Sequence, residues 1–340
     1  MKKILNIFIF HCALWLPLQL FAANTAKYAG EFLAIGVGGR ALGLGGAYSA
    51  LVNDVSAGYW NPAGLSSLQY PQLSLMHDER FAGLENYDYA GFALPVDATT
   101  TLALSVIRLG VDEIANTQDA WTDLNHDGIP EQNEIDYSKI SYLNAADLAI
   151  FFSYAKRVNA TFSYGANLKY IHRQLGTISA NGLGFDLAAQ YNPVAGLHLA
   201  ANLQDITTTL VAWNDGRNEL ISPTVKLGSA YVLNALQGTF MPTVDIDVRF
   251  ENRQQAANAH IGRISFDFHE GLEYEYQHLV AVRAGYSDIG SMNVGAGIHL
   301  PKFDIDYAFS SYNAQDQLGN THRISITFTL EAPQFARSGE

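Results

Sequence analysis

The chain has 340 residues, of which 33 are acidic and 20 are basic, so its formal net charge at pH 7 is −13. So acidic a chain excludes nucleic acid as a partner, because phosphate groups must be met by positive charge. Hydrophobic residues make up 48% of the chain, but a long apolar run occurs only near the N-terminus. No transmembrane helix is therefore expected in the rest of the chain.

The N-terminus predicts export. A basic start and an apolar run at residues 4–20 are followed by the small residues Ala22 and Ala23. This is the pattern of a secretory signal peptide, predicted over residues 1–22 with cleavage after one of the two alanines. The single cysteine, Cys12, belongs to the removed part, so disulfide and thiolate chemistry are excluded in the mature chain.

Residues 36–65 are unusually rich in glycine and read GVGGRALGLGGAYSALVNDVSAGYWNPAGL. A glycine loop that binds phosphate follows a buried strand and continues into Gly-Lys-Ser or Gly-Lys-Thr, and neither feature is present. Glycine also allows the backbone to approach other groups closely. The segment therefore indicates a compact structure that fits into a confined space.

Strict alternation of apolar and polar residues begins after this segment. At residues 321–330, for example, Ile324, Ile326 and Phe328 alternate with Arg323, Ser325 and other polar residues. A period of two is the signature of β-strands. It predicts fourteen strands, near residues 70–79, 86–95, 99–110, 145–157, 160–172, 181–191, 196–205, 223–233, 239–251, 262–276, 278–287, 291–300, 302–312 and 321–330.

The connections between these strands alternate in length. Short turns are expected near 95–98, 156–159, 192–195, 234–238, 277 and 301, whereas long loops are expected at 110–144, 205–222, 251–261 and 313–320. This asymmetry is typical of outer-membrane barrels, which have short periplasmic turns and long extracellular loops. We therefore predict an all-β fold, a 14-stranded antiparallel transmembrane β-barrel over residues 70–330, integral to the outer membrane of a Gram-negative-type bacterium and surrounded by its lipid. Residues 331–340 form a C-terminal tail that we expect to be a disordered extension.

The predicted loop at 110–144 contains a calcium-type motif, D-x-[DN]-x-[DN]-G-x5-E, which matches at every position. Calcium needs six to eight oxygen ligands, which alternate residues around a sharp glycine turn can supply. The predicted ligands are Asp123, Asn125, Asp127, the carbonyl of Ile129, Glu131 and Glu134, with the turn at Gly128. The alternative is a solvated acidic loop without bound metal. A structural Ca²⁺ that orders the loop is the only cofactor expected.

Charged residues on the polar faces of the strands are expected inside the barrel, either in ion pairs or along a solute path. They are Asp186, Asp245, Asp247, Arg249, Glu273, Glu275, Arg283, Asp304, Asp306 and Arg323. The ten histidines show neither a nucleophile elbow nor metal-ligand spacing. No catalytic residue is predicted, and the chain is not expected to be an enzyme.

Several motifs resemble one family. The glycine-rich segment ends in Trp60, Asn61, Pro62, Ala63 and Gly64, and it resembles the N-terminal hatch of FadL-like outer-membrane proteins. More narrowly, residues 39–47 (GRALGLGGA), 59–64 (YWNPAG), 271–274 (GLEY), 282–286 (VRAGY) and 318–325 (LGNTHRIS) are similar to the PorV/PorQ family. The resemblance covers residues 30 to 330. It implies a fourteen-stranded barrel with a hatch, or plug, at residues 23–69.

The resemblance implies two functions. The first is a component or paralogue of type IX protein secretion and surface attachment, which binds secreted substrate proteins and other secretion components. The alternative is a FadL-like transporter of hydrophobic small molecules such as long-chain fatty acids. A secretion component should expose an apolar patch on its extracellular loops, for which Leu210, Val211, Ala212 and Trp213 are candidates. A transporter should instead contain an apolar pocket.

Overall fold

The computed structural model describes residues 30–253, 256–311 and 320–337. The predicted signal peptide at residues 1–22 lies outside these ranges. The described strands form one antiparallel sheet. They are β1 (Gln72–Arg80), β2 (Glu85–Pro95), β3 (Thr100–Asn116), β4 (Ser141–Arg157), β5 (Phe162–Leu175), β6 (Ile178–Tyr191), β7 (Leu197–Gln204), β8 (Thr209–Trp213), β9 (Asn218–Ile221), β10 (Thr224–Tyr231), β11 (Leu233–Ala235), β12 (Gly238–Arg249), β13 (Ala259–Ile261), β14 (Ile264–Tyr276), β15 (Val280–Tyr286), β16 (Met292–Leu300), β17 (Phe303–Ser311) and β18 (Thr321–Thr329).

Fourteen of the described strands close into a barrel. Neighbours along the chain pair antiparallel, with β7 joined to β10, β10 to β12 and β12 to β14. The ring closes where β1 pairs with β18, with Gln72 opposite Thr329 and Glu79 opposite His322. The predicted fourteen-stranded antiparallel barrel is confirmed, and each of the fourteen predicted segments overlaps one barrel strand.

The strands carry apolar side chains on the outside of the barrel and polar side chains on the inside. In β18, Ile324 and Phe328 are 45% and 40% exposed, whereas Arg323 and Ser325 are buried. A soluble protein shows the opposite arrangement, because its apolar side chains avoid water. An apolar exterior around a polar interior is the pattern of a barrel surrounded by lipid.

Four short strands lie within segments that the sequence predicts as loops or turns. β8 and β9 pair as a hairpin inside the predicted loop 205–222, β13 lies inside 251–261, and β11 extends the wall beside β12. β3 and β4 also pair beyond the predicted strand ends, with a register shift between Val111 and Ile114. The predicted loop 110–144 is therefore shortened to residues 117–140.

The two ends of the barrel differ, but less regularly than predicted. The connections at 117–140, 205–223 and 250–263 are long and lie at one end of the barrel. Three connections at the same end are short, at residues 81–84, 176–177 and 287–291. The tightest of them begins at Gly176, whose φ of +58° is readily adopted by glycine.

Residues 30–68 lie inside the ring of strands. They form three short helices, α1 (Glu31–Ala34), α2 (Gly39–Gly43) and α3 (Ala57–Trp60), and a 3₁₀ helix at Pro62–Ser67. Within the described part of the chain, no helix is both long and apolar enough to cross a membrane. α2 packs against β15 to β18, and the 3₁₀ helix packs against β3 to β6. We call residues 30–68 the hatch segment.

Glycines allow the hatch segment to touch the barrel wall with its backbone. A Cβ atom on Gly285 of β15 would lie 2.2 Å from the carbonyl carbon of Leu44, and one on Gly45 would lie 2.6 Å from the carbonyl oxygen of Tyr286. Gly45 also has a φ of +65°. Larger residues at either position would push the two backbones apart.

The C-terminal tail returns to the base of the hatch segment. Pro333–Phe335 forms a 3₁₀ helix, and Arg337 is buried, donating from its backbone N–H to the carbonyl of Gln69 over 2.8 Å. Its guanidinium donates to the carbonyls of Leu68 and Asp97 over 2.8 and 3.3 Å and to Thr101 Oγ1 over 2.6 Å. The expectation of a disordered extension is therefore wrong for residues 331–337, and residues 338–340 lie outside the described ranges.

Candidate functional site

Asn61 is the most connected side chain of the sequence motif at residues 60–64. Its Oδ1 accepts the N–H of Ala63 over 3.0 Å, and its Nδ2 donates to the carbonyls of Ala189 and Ala201 over 3.2 and 3.4 Å. These alanines belong to paired positions of β6 and β7. The backbone is extended at Asn61, with φ −161° and ψ 101°, as expected before Pro62. The side chain therefore caps the 3₁₀ helix and ties it to the wall.

The neighbouring residues of the motif fill the space around Asn61. Trp60 Nε1 donates to the carbonyl of Val37 over 2.9 Å, and the ring meets Tyr59 edge-on at 5.0 Å. A Cβ atom on Gly165 of β5 would lie 2.5 Å from the nitrogen of Ala63, and one on Gly64 would lie 2.5 Å from a hatch carbonyl. The motif is therefore a tightly packed junction between the hatch segment and the wall.

An arginine of α2 connects the hatch segment to the opposite side of the barrel. Arg40 makes a bidentate contact to Glu273 of β14, with Nε–Oε2 and Nη2–Oε1 distances of 2.9 and 2.8 Å. Arg283 of β15 also donates to Glu273 and bonds Asp306 over 2.6 Å. Glu273 is fully buried, so both guanidinium groups compensate for its desolvation.

Two further contacts use backbone groups of the hatch segment. The carboxylate of Asp245 accepts the N–H groups of Tyr48 and Ser49 over 3.2 and 2.9 Å. Arg323 bonds Asp78 over 2.8 Å and reaches the carbonyl of Ile35 at 3.5 Å. Side chains of β12 and β18 therefore hold the first half of the hatch segment.

The predicted interior ion pairs are confirmed in the described residues. Those buried in ion pairs are Asp186, Asp247, Glu273, Arg283, Asp306 and Arg323, with Arg249 half-buried beside Asp247 and Asp267. Asp245 is buried as well, but it accepts backbone N–H groups of the hatch segment. Glu275 and Asp304 instead contact His278 and His299 near the short turns, at 2.6 and 2.9 Å. Sequence reasoning missed Arg40, Lys169 and Lys226 as partners, because the alternation predicts which face a residue occupies but not which residue of an adjacent strand or of the hatch segment it meets.

A cavity of about 470 Å³ lies between the hatch segment and the end of the barrel that carries the long loops. Its position follows from its lining, which includes strand ends such as Arg80, Thr321 and Arg249. The apolar part of the lining comes largely from the hatch segment, with contributions from the wall. These apolar and aromatic residues are Phe32, Leu33, Ile35, Leu42, Tyr59, Trp60, Phe81, Leu109, Ile221 and Ile289.

The lining of the cavity also contains many charged side chains. Its basic residues are Arg80, Lys226, Arg249, Arg253 and Arg323, with His269, and its acidic residues are Glu31, Glu85, Asp205, Asp247, Glu251 and Asp288. Each of these five lysine and arginine side chains has a carboxylate partner: Arg80–Glu85 at 3.3 Å, Lys226–Asp247 at 2.5 Å, Arg249–Asp267 at 3.3 Å, Arg253–Asp267, and Arg323–Asp78 at 2.8 Å. Asp205 pairs with Lys169, which also bonds Asp186, each at 2.7 Å.

Counting the cavity residues together with these partners gives nine carboxylates and six lysine or arginine side chains, a surplus of three negative charges. Within the described ranges, Glu31, Glu251 and Asp288 are the cavity carboxylates that form no ion pair. The lining of the cavity therefore combines apolar and aromatic side chains with charged side chains, and its lysine and arginine residues all take part in ion pairs.

The predicted calcium loop has the turn of the motif but not a gathered set of ligands. Gly128, with φ +74°, donates its N–H to Asp123 over 3.0 Å, and Asp127 accepts the N–H of Ile129 over 2.7 Å. Glu134 is buried and accepts N–H groups from Leu124 over 2.8 Å and from the Trp121 indole over 3.1 Å.

The indole N–H is the main cause that holds the pKa of Glu134 below its ordinary value. Among the described residues no group of three acidic, histidine or cysteine side chains is arranged to hold a metal. Asn125 bonds Asp127 over 3.1 Å, and Glu131 caps the short helix at Gln132–Glu134. Calcium binding stays a prediction, and Glu134 would have to turn towards Asp123 to join the shell.

The apolar patch predicted at residues 210–213 is not formed. Val211 and Trp213 point inward and pack with Ala180, and only Leu210 and Ala212 are exposed. The reason is that this segment is a strand paired with β6, so its alternate residues face opposite sides. Trp213 lies between the guanidinium groups of Arg173 and Arg217, at 5.6 and 5.3 Å.

The fold has relatives among solved structures. The Ralstonia pickettii toluene transporter TbuX is 13% identical, with 87% of this chain and 99% of that chain covered and a TM-score of 0.60. The CymD monoaromatic hydrocarbon channel is 15% identical, with 88% and 98% covered and a TM-score of 0.57. A Pseudomonas aeruginosa FadL homologue is 12% identical, with 91% and 99% covered and a TM-score of 0.52. At these identities the likeness shows the fold alone.

The sequence comparisons add one match. The family model described as "Uncharacterised protein family (UPF0164)" matches residues 20–186, and no curated protein matches the chain. The family model together with the closed fourteen-stranded barrel, its apolar exterior and its structural relatives leads to one conclusion. The chain is an integral outer-membrane β-barrel with the FadL fold.

Proposed function

We propose that this protein is an outer-membrane channel that admits a small, predominantly apolar molecule through the cavity above its hatch segment. The observation that carries the proposal is the cavity itself, about 470 Å³, with apolar and aromatic side chains in its lining. Ligand sites are typically concave, mostly apolar, and of this size, with a few polar groups that fix orientation.

The position of the cavity supports entry from outside the cell. It lies at the end of the barrel that carries the long loops, which in outer-membrane barrels is the extracellular end. Structural relatives are described as a toluene transporter and a monoaromatic hydrocarbon channel. By analogy we infer a similar class of cargo for this chain. The analogy is one of fold, and the cavity is the feature of this chain that supports it.

The contacts of the hatch segment determine which part of it cargo would have to move in order to pass through the barrel. It lies directly beneath the cavity, and Leu33 and Ile35 of the cavity side bond through their carbonyls to Tyr59 Oη and Arg323 Nη2. α2 is anchored to the wall by Arg40–Glu273, and the 3₁₀ helix is anchored by Asn61 and the close approach to Gly165. We propose that cargo moves residues 30–35, which precede α2, while the rest of the hatch segment keeps its place.

The alternative function, type IX secretion, has no comparable support. The apolar surface expected for a protein partner is absent at Leu210–Trp213, where Val211 and Trp213 are buried. The comparisons do not show the resemblance to the PorV/PorQ family. We therefore favour transport of a hydrophobic compound over secretion.

The proposal is tested by filling the cavity. Purified protein in a non-ionic detergent should bind toluene in calorimetry, beyond the heat of toluene entering the detergent alone, and Leu109→Trp should weaken this binding because Leu109 lines the cavity from β3. The matched control is Leu104→Trp on the same strand, where the side chain is 42% exposed on the lipid-facing surface. Equal toluene affinity in both variants, or no binding by the wild type beyond the detergent blank, would contradict the proposal.

A further inference from the structure

A row of uncharged polar side chains crosses the inner wall of the barrel beside the cavity. Thr321 of β18, Ser310 of β17 and Asn293 of β16 occupy directly paired positions on neighbouring strands. Ser310 and Thr321 line the cavity, as does Ser291, which immediately precedes β16. All four residues are buried, with at most 4% of their surface exposed. We call these four residues the polar row.

The hydrogen bonds of the polar row are incomplete. Asn293 Nδ2 donates to the carbonyl and to the Oγ of Ser291 over 3.0 and 3.2 Å, so the amide is oriented with its Oδ1 away from Ser291. Within the described residues, neither Asn293 Oδ1 nor Ser310 Oγ has a hydrogen-bond partner, although both atoms are buried. The Thr321 hydroxyl forms no hydrogen bond in this part of the chain either. Buried polar atoms without partners cost free energy, so a ligand that pairs with them gains affinity.

The polar row lies between α2 and the long-loop end of the barrel. α2 touches β17 at Asp306, where a Cβ atom on Gly39 would lie 2.7 Å from the carbonyl oxygen. Ser310 is four residues further along this strand, which is roughly 13 Å in an extended chain. Leu42 of α2 and Ile289 of the connection between β15 and β16 add apolar side chains to the lining of the same cavity. One ligand can therefore contact apolar groups and the polar row together.

The chemistry of the polar row suits an uncharged hydroxyl group. Its side chains carry hydroxyl and amide groups and no charge, so a charged ligand group placed against them would lose hydration without gaining an ion pair there. The next inward-facing residue of β18 is Arg323, and its guanidinium already donates twice to Asp78, over 3.0 and 2.8 Å. A hydroxyl group both donates and accepts, and the hydroxyls of Ser310 and Thr321 do the same. A bare hydrocarbon would leave all of these atoms unpaired.

From these observations we propose that the cavity prefers phenols, aromatic molecules with a neutral hydroxyl group, over the corresponding hydrocarbons. The hydroxyl binds Ser310 and Thr321 in the polar row, and the aromatic body lies against the apolar lining contributed by the hatch segment. This inference rests on the proposed function, since it specifies the class of molecule that the same cavity takes.

Toluene and p-cresol test the inference because they differ only in a hydroxyl group. p-Cresol is neutral at pH 7, as is the tyrosine side chain, whose pKa is about 10. Binding of each probe to the full-length protein in a non-ionic detergent is measured by calorimetry against a detergent blank. We expect p-cresol to bind about 3- to 10-fold more tightly than toluene, the ratio that one net hydrogen bond supplies. Ser310→Ala should bring the affinity for p-cresol down towards that for toluene, and Thr321→Val should act in the same direction.

Ser153→Ala is the matched control. Ser153 of β4 is also buried and its Oγ also has no partner, but it is not among the described residues that line the cavity. This variant should keep the wild-type ratio of the two affinities.

The inference is refuted, and toluene binding still supports the proposed function, if p-cresol binds no more tightly than toluene. An unchanged ratio in both Ser310→Ala and Thr321→Val would refute it as well, and so would a loss in Ser153→Ala as large as that in Ser310→Ala. If neither probe binds beyond the detergent blank, the proposed function fails together with the inference.

Discussion

Removing the side chain of Asn61 should release the hatch segment while the barrel stays folded. Asn61 is completely buried and makes three hydrogen bonds, one to Ala63 and two to strand carbonyls. Loss of an N-cap typically costs about 1 kcal/mol. Each carbonyl that loses a donor adds about 0.5–1 kcal/mol, the net value of an ordinary hydrogen bond.

For Asn61→Ala these contributions sum to about 2–3 kcal/mol, which at 1.4 kcal/mol per tenfold is roughly a 30- to 140-fold increase in opening of the hatch segment. The strand ladders do not depend on Asn61, so the loss is local. Hydrogen exchange of amides at residues 57–67 should accelerate by this factor, while exchange within β16 and β17 should be unchanged.

Asn61→Asp tests the reasoning more sharply. Aspartate keeps the acceptor for the N–H of Ala63 but replaces the donor with a charge that faces the carbonyls of Ala189 and Ala201. If the cap alone mattered, Asp would be tolerated; if the bridge to the wall matters, Asp should be worse than Ala, because a buried carboxylate beside two carbonyls is strongly disfavoured. Equal exchange rates in Asn61→Asp and the wild type would refute our account of the motif.

Three further predictions concern other parts of the molecule. Ile326→Arg on the lipid-facing side of β18 should destabilise the barrel by about 2–4 kcal/mol near the bilayer midplane, visible as a lower temperature for the shift in gel mobility; an effect no larger than that of Ile326→Ala would contradict the assignment of that face. The N–H of Thr99 is the main cause that lowers the pKa of Asp97 to about 2. The stabilisation of the turn by the Asp97 carboxylate should therefore be complete above about pH 4 and lost as the pH falls through the pKa of the folded state. Asp97→Asn should remove this acid dependence from the protease resistance of the turn, and an unchanged acid profile would show that other groups cause it. Calcium should protect the loop 117–140 from protease with a Kd of roughly 10⁻⁴–10⁻³ M, and Asp123→Ala should abolish that protection; no calorimetric uptake at millimolar calcium would exclude the site.

The strands could be predicted from the sequence because their signal is local. Each barrel strand alternates between lipid and interior, and Ile324, Ile326 and Phe328 show this without knowledge of any partner. The hairpin of β8 and β9 was missed although it alternates as well. Its apolar residues Val211 and Trp213 face inward. Because the segment is interpreted from sequence as a loop, these two residues are wrongly predicted to lie on an exposed apolar patch.

The contacts of the interior could not be predicted in the same way. Arg40 and Glu273 are 233 positions apart, and their meeting depends on the stagger of the strands and the path of the hatch segment. The cavity likewise combines residues from α1, α3 and the ends of many strands, so no contiguous motif marks it. The calcium motif is the opposite case, since it is local and complete in the sequence. The spacing of its residues, however, does not predict the orientation of a side chain such as that of Glu134.

The buried Arg337 joins the end of the described chain to its beginning. Its partners Leu68, Asp97 and Thr101 are separated from it by more than 230 residues, and they surround it only when the first three barrel strands stand beside the last. These three interactions therefore exist only in the closed ring, where the tail acts as a clasp between the base of the hatch segment and the turn that joins β2 to β3.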